Sequence, residues 1–184
     1  RFYIQADNVD IFNLTFQENK ASKGGSLYIY SNNVTIVKST FAKTSQGSSG
    51  GAIYVALLNN AYKTYAINIT IINSTFSNNT VTSQGGAIYM AVGTGGENIA
   101  IINSSFSNNH ADDSGGAIYW AGYEGVASNN KFISCWSQTD AAHPSSTEDS
   151  SGSAIFWKGS NGLIYNSYFK YNSETENGVI YAAG

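Results

Sequence analysis

The stretch ITIINSTFSNNTVTSQGGAIYM (residues 69–90) returns thirty residues later as IAIINSSFSNNHADDSGGAIYW (residues 99–120). Two near-copies of this length are the mark of a repeat, and the period extends through the rest of the chain. Phenylalanine anchors the unit at Phe16, Phe41, Phe76, Phe106, Phe132 and Phe169, with spacings of 25, 35, 30, 26 and 37 residues. Ahead of the anchor runs an alternating apolar segment: Val9-x-Ile11, Val34-x-Ile36, Ile69-x-Ile71 and Ile99-x-Ile101. After it comes a glycine pair with a small, an aliphatic and an aromatic residue, as in Gly50-Gly51-Ala52-Ile53-Tyr54 and again at Gly85, Gly115 and Gly24. Degenerate copies stand at Gly152 and Gly178. Alternation with a period of two, bounded by Gly, Asn and Ser, reads as strand and turn.

Two or three short strands per unit cannot bury an apolar face alone, but stacking each unit on the next buries it. The predicted fold is therefore all-β: a parallel β-helix (a β-solenoid) of about six to seven coils, forming a single repeat segment over 1–184. Loop insertions fall near 57–67 and 138–151. Ladders of like residues should run along its axis. The phenylalanines and Ile53, Ile88, Ile118 and Ile155 should face inward. Asparagine recurs before the anchor at Asn13, Asn73, Asn103, Asn129 and Asn166, and after it at Asn19, Asn79, Asn109 and Asn172. Stacked asparagines can bond each other's amides and close turns. The glycine pairs suit positive φ or close approach of the next coil. A β-sandwich gives no reason for this recurrence in register. The chain opens on Phe2-Tyr3-Ile4 and closes on Val179-Ile180-Tyr181, both matching the strand after the glycine pair, so further β-structure is expected beyond each end.

Only 11% of the 184 residues are charged and the formal net charge is −3, which gives no footprint for nucleic acid or an anionic membrane. At 42% hydrophobic the chain has ample surface to bury, which argues against disorder. Cys135 is the sole cysteine, so no intrachain disulfide forms. No apolar run reaches the length of a membrane-spanning helix.

Phe-x-x-Asn, intact at Phe16, Phe76, Phe106 and Phe169, followed by Gly-Gly-Ala-Ile, intact at Gly50, Gly85 and Gly115, resembles the repeats of chlamydial polymorphic outer-membrane proteins and adhesin-like surface proteins. Phe41 and Phe132 depart from it, being followed by Thr44 and Cys135. The resemblance implies a right-handed parallel β-helix displayed outside the cell for adhesion or as a stalk, with no catalytic residues.

Polysaccharide-active β-helix enzymes need paired carboxylates, often with a basic residue. Arg1 is the only arginine, and the adjacent carboxylates are Asp112-Asp113 and Glu148-Asp149. The first pair reads as a solvated turn. His110-x-Asp112 is a poor metal set. Residues 139–151 gather Asp140, His143, Glu148 and Asp149 into a candidate contact loop. Cys135 takes the place of a stacked asparagine and reads as a small buried residue. Six N-x-S/T sequons occur; Asn13, Asn73 and Asn103 should be inward or locked in turns, leaving Asn33, Asn68 and Asn78 as candidate N-glycosylation sites. Tyr28, Tyr54, Tyr89, Tyr119, Phe156 and Tyr181 form a candidate strip for sugar stacking or solenoid packing, on the face opposite the Ile53 series.

The expectation is a non-catalytic structural module of a large extracellular, cell-surface adhesin-like or filament protein, with no cofactor and no metal. Its partners would be neighbouring β-helix segments, from the same chain or head-to-tail copies, and host or environmental glycans or surface proteins. Nucleic acid and direct membrane insertion are not expected. The alternatives are a polysaccharide-active β-helix enzyme and a carbohydrate-binding module.

Overall fold

The computed structural model describes residues 1–45, 47–56, 68–90, 97–138, 152–173 and 178–183. Each coil of a parallel β-helix here contributes one short strand to each of several stacked sheets, and every strand pair is parallel. Sheet A takes the strand after the glycine pair: Phe2–Ile4, Leu27–Ile29, Ile53–Val55, Ile88–Met90, Ile118–Trp120, Ile155–Trp157 and Ile180–Ala182. Sheet B takes the alternating run: Val9–Phe12, Val34–Val37, Ile69–Ile72, Ala100–Ile102, Val126–Ser128 and Leu163–Tyr165. Sheet C carries the anchor phenylalanine: Thr15–Gln17, Thr40–Ala42, Thr75–Ser77, Ser105–Ser107, Lys131–Ile133 and Tyr168–Lys170. The opening and closing strands are the two edges of sheet A, in the phase their sequences share.

A fourth sheet, D, is formed by Gly47–Ser49, Thr80–Gln84, His110–Ala111 and Trp136–Ser137. Sequence reading foresaw two or three strands per unit, because these segments share neither alternation nor residue type. Their pairing follows from position in the coil rather than from any apolar pattern. The insertions near 57–67 and 139–151 lie outside the described residues.

The interior is built from ladders. Phe41, Phe76, Phe106 and Phe132 are fully buried. From Phe16 to Phe169 consecutive rings stack with centroids 4.8–5.1 Å apart and planes within 3–8° of parallel. Leu27, Ile53, Ile88, Ile118 and Ile155 line the opposite wall at zero exposure. In-register stacking sets one coil about 4.8 Å above the next, a spacing at which identical rings stack face to face.

The corners explain the asparagines. Residues with φ between 48° and 62° recur every five positions: Asn68, Asn73 and Asn78 in one coil, Asn98, Asn103 and Asn108 in the next. Asparagine enters the left-handed region at less cost than most residues, because its short amide can bond locally. The following residue points inward, so each corner redirects the chain while leaving one side chain for the core. The glycine pair does two different jobs. Gly85 has φ +66°, whereas Gly86 sits against the next coil, where a Cβ would overlap Gly116 O and lie 2.5 Å from His110 O. Only glycine fits there.

Candidate functional site

The two asparagine columns have opposite fates. Asn13, Asn73 and Asn103 are exposed and locked in turns; Asn103 Nδ2 donates to Asn73 Oδ1 at 2.5 Å. Asn79 and Asn109 are fully buried. Asn79 Nδ2 donates to Asn109 Oδ1 at 2.9 Å, and the Asn79 backbone N–H donates to the same oxygen at 3.2 Å. Asn109 Nδ2 in turn donates to Phe76 O at 3.0 Å. One coil below, Thr44 Oγ1 donates to Asn79 Oδ1 at 2.7 Å. These bonds satisfy a buried corner in each coil, which a low-dielectric interior demands.

A parallel serine column was missed in the sequence. Ser39 N–H donates to Ser74 Oγ, Ser74 N–H to Ser104 Oγ and Ser104 N–H to Asn130 Oδ1, at 3.2, 3.1 and 2.9 Å. The signal was present as Asn-Ser-Thr-Phe and Asn-Ser-Ser-Phe. It doubles as a glycosylation motif, so the Asn73 and Asn103 sequons, with Ser74 and Ser104 at their centre, carry a structural meaning of their own.

Cys135 occupies the buried asparagine column at zero exposure. Its Sγ lies 3.9 Å from Asn109 Nδ2, and burial pushes the thiol up to about 11. A thiol so held is protonated at neutral pH and is a packing residue rather than a nucleophile.

The aromatic strip lies on the outer side of sheet A, opposite the buried Ile53 and Ile88. Tyr54, Tyr119 and Phe156 are nonetheless buried, while Tyr28, Tyr89 and Tyr181 are half-buried. The rings stack on each other at centroid distances of 4.8–5.2 Å. Each ring face is thereby occupied by its neighbour, and the ladder offers edges outward. A sugar stacks on a free ring face, so this ladder is organised for packing along the axis rather than for pyranose stacking. Burial, then the neighbouring Tyr119 and Tyr54, pushes the Tyr89 hydroxyl up, so this phenol stays neutral. Lys23 Nζ sits 5.0 Å from the Tyr54 centroid and Arg1 5.4 Å from that of Tyr28.

The turn carboxylates are already engaged. Asp112 Oδ1 meets His110 Nε2 at 2.7 Å, and Asp113 Oδ2 accepts from Ser83 Oγ at 2.7 Å. His110 stacks on Trp136 and its Nδ1 lies 3.2 Å from Trp136 O. Among the described residues no group of three or more His, Cys, Asp or Glu comes together. Asp140, His143, Glu148 and Asp149 lie outside the described residues.

Asn33, Asn68 and Asn78 all sit exposed at corners. Asn33 and Asn68 are tied into an amide chain, Asn68 Nδ2 to Asn33 Oδ1 at 2.8 Å and Asn33 Nδ2 to Asn8 Oδ1 at 3.0 Å.

Two tryptophans form a feature that sequence reading passed over. Trp120 and Trp157 stack at 4.4 Å inside the corner between sheets A and B. Each indole lies where a Cβ on the glycine five residues later, Gly125 or Gly162, would have to be. The spacing Trp-x4-Gly was the available signal. Both Nε1 atoms are buried without a hydrogen-bond partner. A cleft of 380 Å³ opens beside Trp157, bordered by Ser160, Asn161, Ile164 and Ala182.

This architecture defines the class: a parallel β-helix repeat protein whose recurring residues are spent on its own corners and core. Residues 73–91 and 103–119, the near-copies at the centre of the chain, are similar to the Chlamydia polymorphic membrane protein repeat, whose family model matches them. No curated protein and no solved structure matches the chain.

Proposed function

We propose that this chain is a non-catalytic structural repeat module of a large adhesin-like or filament protein displayed on the cell surface. The observation that carries the reading is that the residues repeated most faithfully, Phe76, Asn79, Gly85 and Gly86 with their equivalents, are consumed by stacking, corner hydrogen bonds and coil contact. Among the described residues, these recurring side chains are taken up by the fold itself. The match of two repeats to a polymorphic membrane protein repeat supports the same reading.

Such a module supplies a rigid spacer and lateral surface. Its partners are further β-helix coils, from the same polypeptide or a second copy, and glycans or proteins met at the cell surface. The test pairs two assays on the purified chain. Beads coated with it should adhere to a target cell surface, and it should turn over no acidic or neutral polysaccharide. Turnover lost in Asp112→Asn or Asp113→Asn would overturn the reading in favour of a polysaccharide-active enzyme.

Exposed corner sequons make Asn33, Asn68 and Asn78 candidate glycan acceptors. Secretion from a eukaryotic host followed by glycopeptide mapping tests this, and unmodified peptides at all three would dismiss it. A second reading, a carbohydrate-binding module, draws on the cleft beside Trp157, lined also by Ser160 and Asn161. A glycan array showing binding that Asn161→Ala abolishes would favour it.

A further inference from the structure

The outer face of sheet D holds an indole that is backed on one side and has no ring on the other. Val81, Ala111 and Ser137 are buried there, so alternation turns their neighbours Thr80, His110 and Trp136 outward. Parallel pairing sets Thr80, His110, Trp136 and Ser173 in one column, one residue from each of four successive coils. His110 lies against Trp136 with ring centroids 3.3 Å apart and planes 16° from parallel. On the other side the neighbour in register is Ser173, a small exposed residue. Trp136 is 40% exposed, whereas Trp120 and Trp157 are buried. The free ring face that the tyrosine ladder of sheet A lacks is present here.

The indole is also held in place. The imidazole behind it is buried and tied at both nitrogens: Nδ1 lies 3.2 Å from Trp136 O and Nε2 lies 2.7 Å from Asp112 Oδ1. Asp113, the next residue, accepts from Ser83 Oγ and pins the same turn to the preceding coil. A ring fixed before a ligand arrives loses little freedom on binding. Polar groups flank it. Asp112 is half-buried beside the imidazole, and exposed Gln138 stands on the outward side of the Trp136 strand, about 7 Å further along it.

That set of groups selects a ligand. A nucleic acid or an acidic sugar would meet the carboxylates of Asp112 and Asp113, and the column carries no lysine or arginine to offset them. A quaternary ammonium is held by a cage of several rings, and here a single indole is offered. A neutral pyranose has C–H groups on its face and hydroxyls around its rim. The first suit an indole face, and the second suit a carboxylate and an amide beside it. We propose that Trp136 is the platform of a binding site for a neutral hexopyranose of a glycan chain, with Asp112 and Gln138 bonding its hydroxyls and His110 positioning the indole. The proposal narrows the glycan partner of the preceding section and rests on that surface role for where such a sugar is met.

Titration of the isotopically labelled chain with the methyl glycosides of glucose, galactose, mannose and N-acetylglucosamine tests it, read by nuclear magnetic resonance at the indole N–H signals. At least one sugar should shift the Trp136 signal saturably, with half-saturation on the order of millimolar, and leave the Trp120 and Trp157 signals in place. Trp136→Phe, which keeps a ring, and Asp112→Asn, which keeps the shape, should each weaken binding about fivefold, read by saturation transfer to the sugar. Trp136→Leu should abolish it while the circular dichroism spectrum stays that of the parent. If the leucine variant does not fold, the parent titration and the two milder variants decide. No shift at Trp136 with any of the four sugars up to about 100 mM, a shift at Trp157 instead, undiminished binding by the variants, or tighter binding of methyl galacturonate or choline would each overturn the proposal. Antibody labelling of intact cells can succeed while no sugar moves Trp136, so this proposal and surface display fail separately.

Discussion

Replacing Asn109 by leucine should destabilise the chain by about 3–4 kcal/mol, although the two side chains are of similar size. Asn109 is fully buried. It accepts from both the backbone N–H and the side-chain amide of Asn79, and donates to Phe76 O. Leucine leaves two N–H groups and that carbonyl contact unmade in a dry interior, at roughly 1–1.5 kcal/mol apiece. The chain itself supplies the control. Thr44 fills the equivalent position one coil below Asn79, buried and bonded to it through its hydroxyl. Asn109→Thr should thus cost only about 1–2 kcal/mol, since a hydroxyl restores part of the network. Urea unfolding of parent and variants, followed by tryptophan fluorescence and circular dichroism, measures both. A leucine variant as stable as the parent, or more stable than the threonine variant, would refute the claim that the amide column fixes the corners.

Other substitutions probe other ladders. Phe76→Ala removes a fully buried ring between Phe41 and Phe106 and should cost about 3–5 kcal/mol in the same urea assay. Gly86→Ala should be worse tolerated than Ala87→Gly, since its Cβ meets two backbone carbonyls of neighbouring segments; comparison of soluble yield and urea midpoint decides this. The Cys135 thiol should react with a disulfide reagent only on unfolding. Because burial raises it from 9.0 to about 11, the folded state favours the neutral thiol. That contribution is complete below pH 9 and is lost as pH climbs towards about 11, so Cys135→Ser should show a flatter decline in stability over that window.

Those expectations rest on features that differ in how visibly the sequence carried them. Phe76 and Phe106, Ile88 and Ile118, and the glycine pairs were legible because stacking demands the same side chain at the same phase of every coil. Repetition substituted for an alignment. The buried Asn79 column was equally plain, yet the exposed Asn73 column looked much the same, and only backbone conformation separates a corner amide turned outward from one turned in. Sheet D escaped notice because Gly47-Ser48-Ser49 and His110-Ala111 share no pattern; their pairing is inherited from the strands on either side. The tryptophan corner was hidden for the opposite reason: Trp120 and Trp157 occur in only two coils, where Ile4, Ile29, Val55, Met90 and Ala182 stand in the others. Alternation set the aromatic strip opposite the Ile53 series, but it gives neither the burial of Tyr54, Tyr119 and Phe156 nor the stacking that takes up the ring faces.

The central claim is surface display of a structural module, and labelling of intact cells tests it most directly. Antibodies raised against residues 1–184 should bind unpermeabilised cells that make the parent polypeptide, and external protease should remove that signal while leaving a cytoplasmic marker untouched. Signal that emerges only after permeabilisation, and resists external protease, would contradict the account.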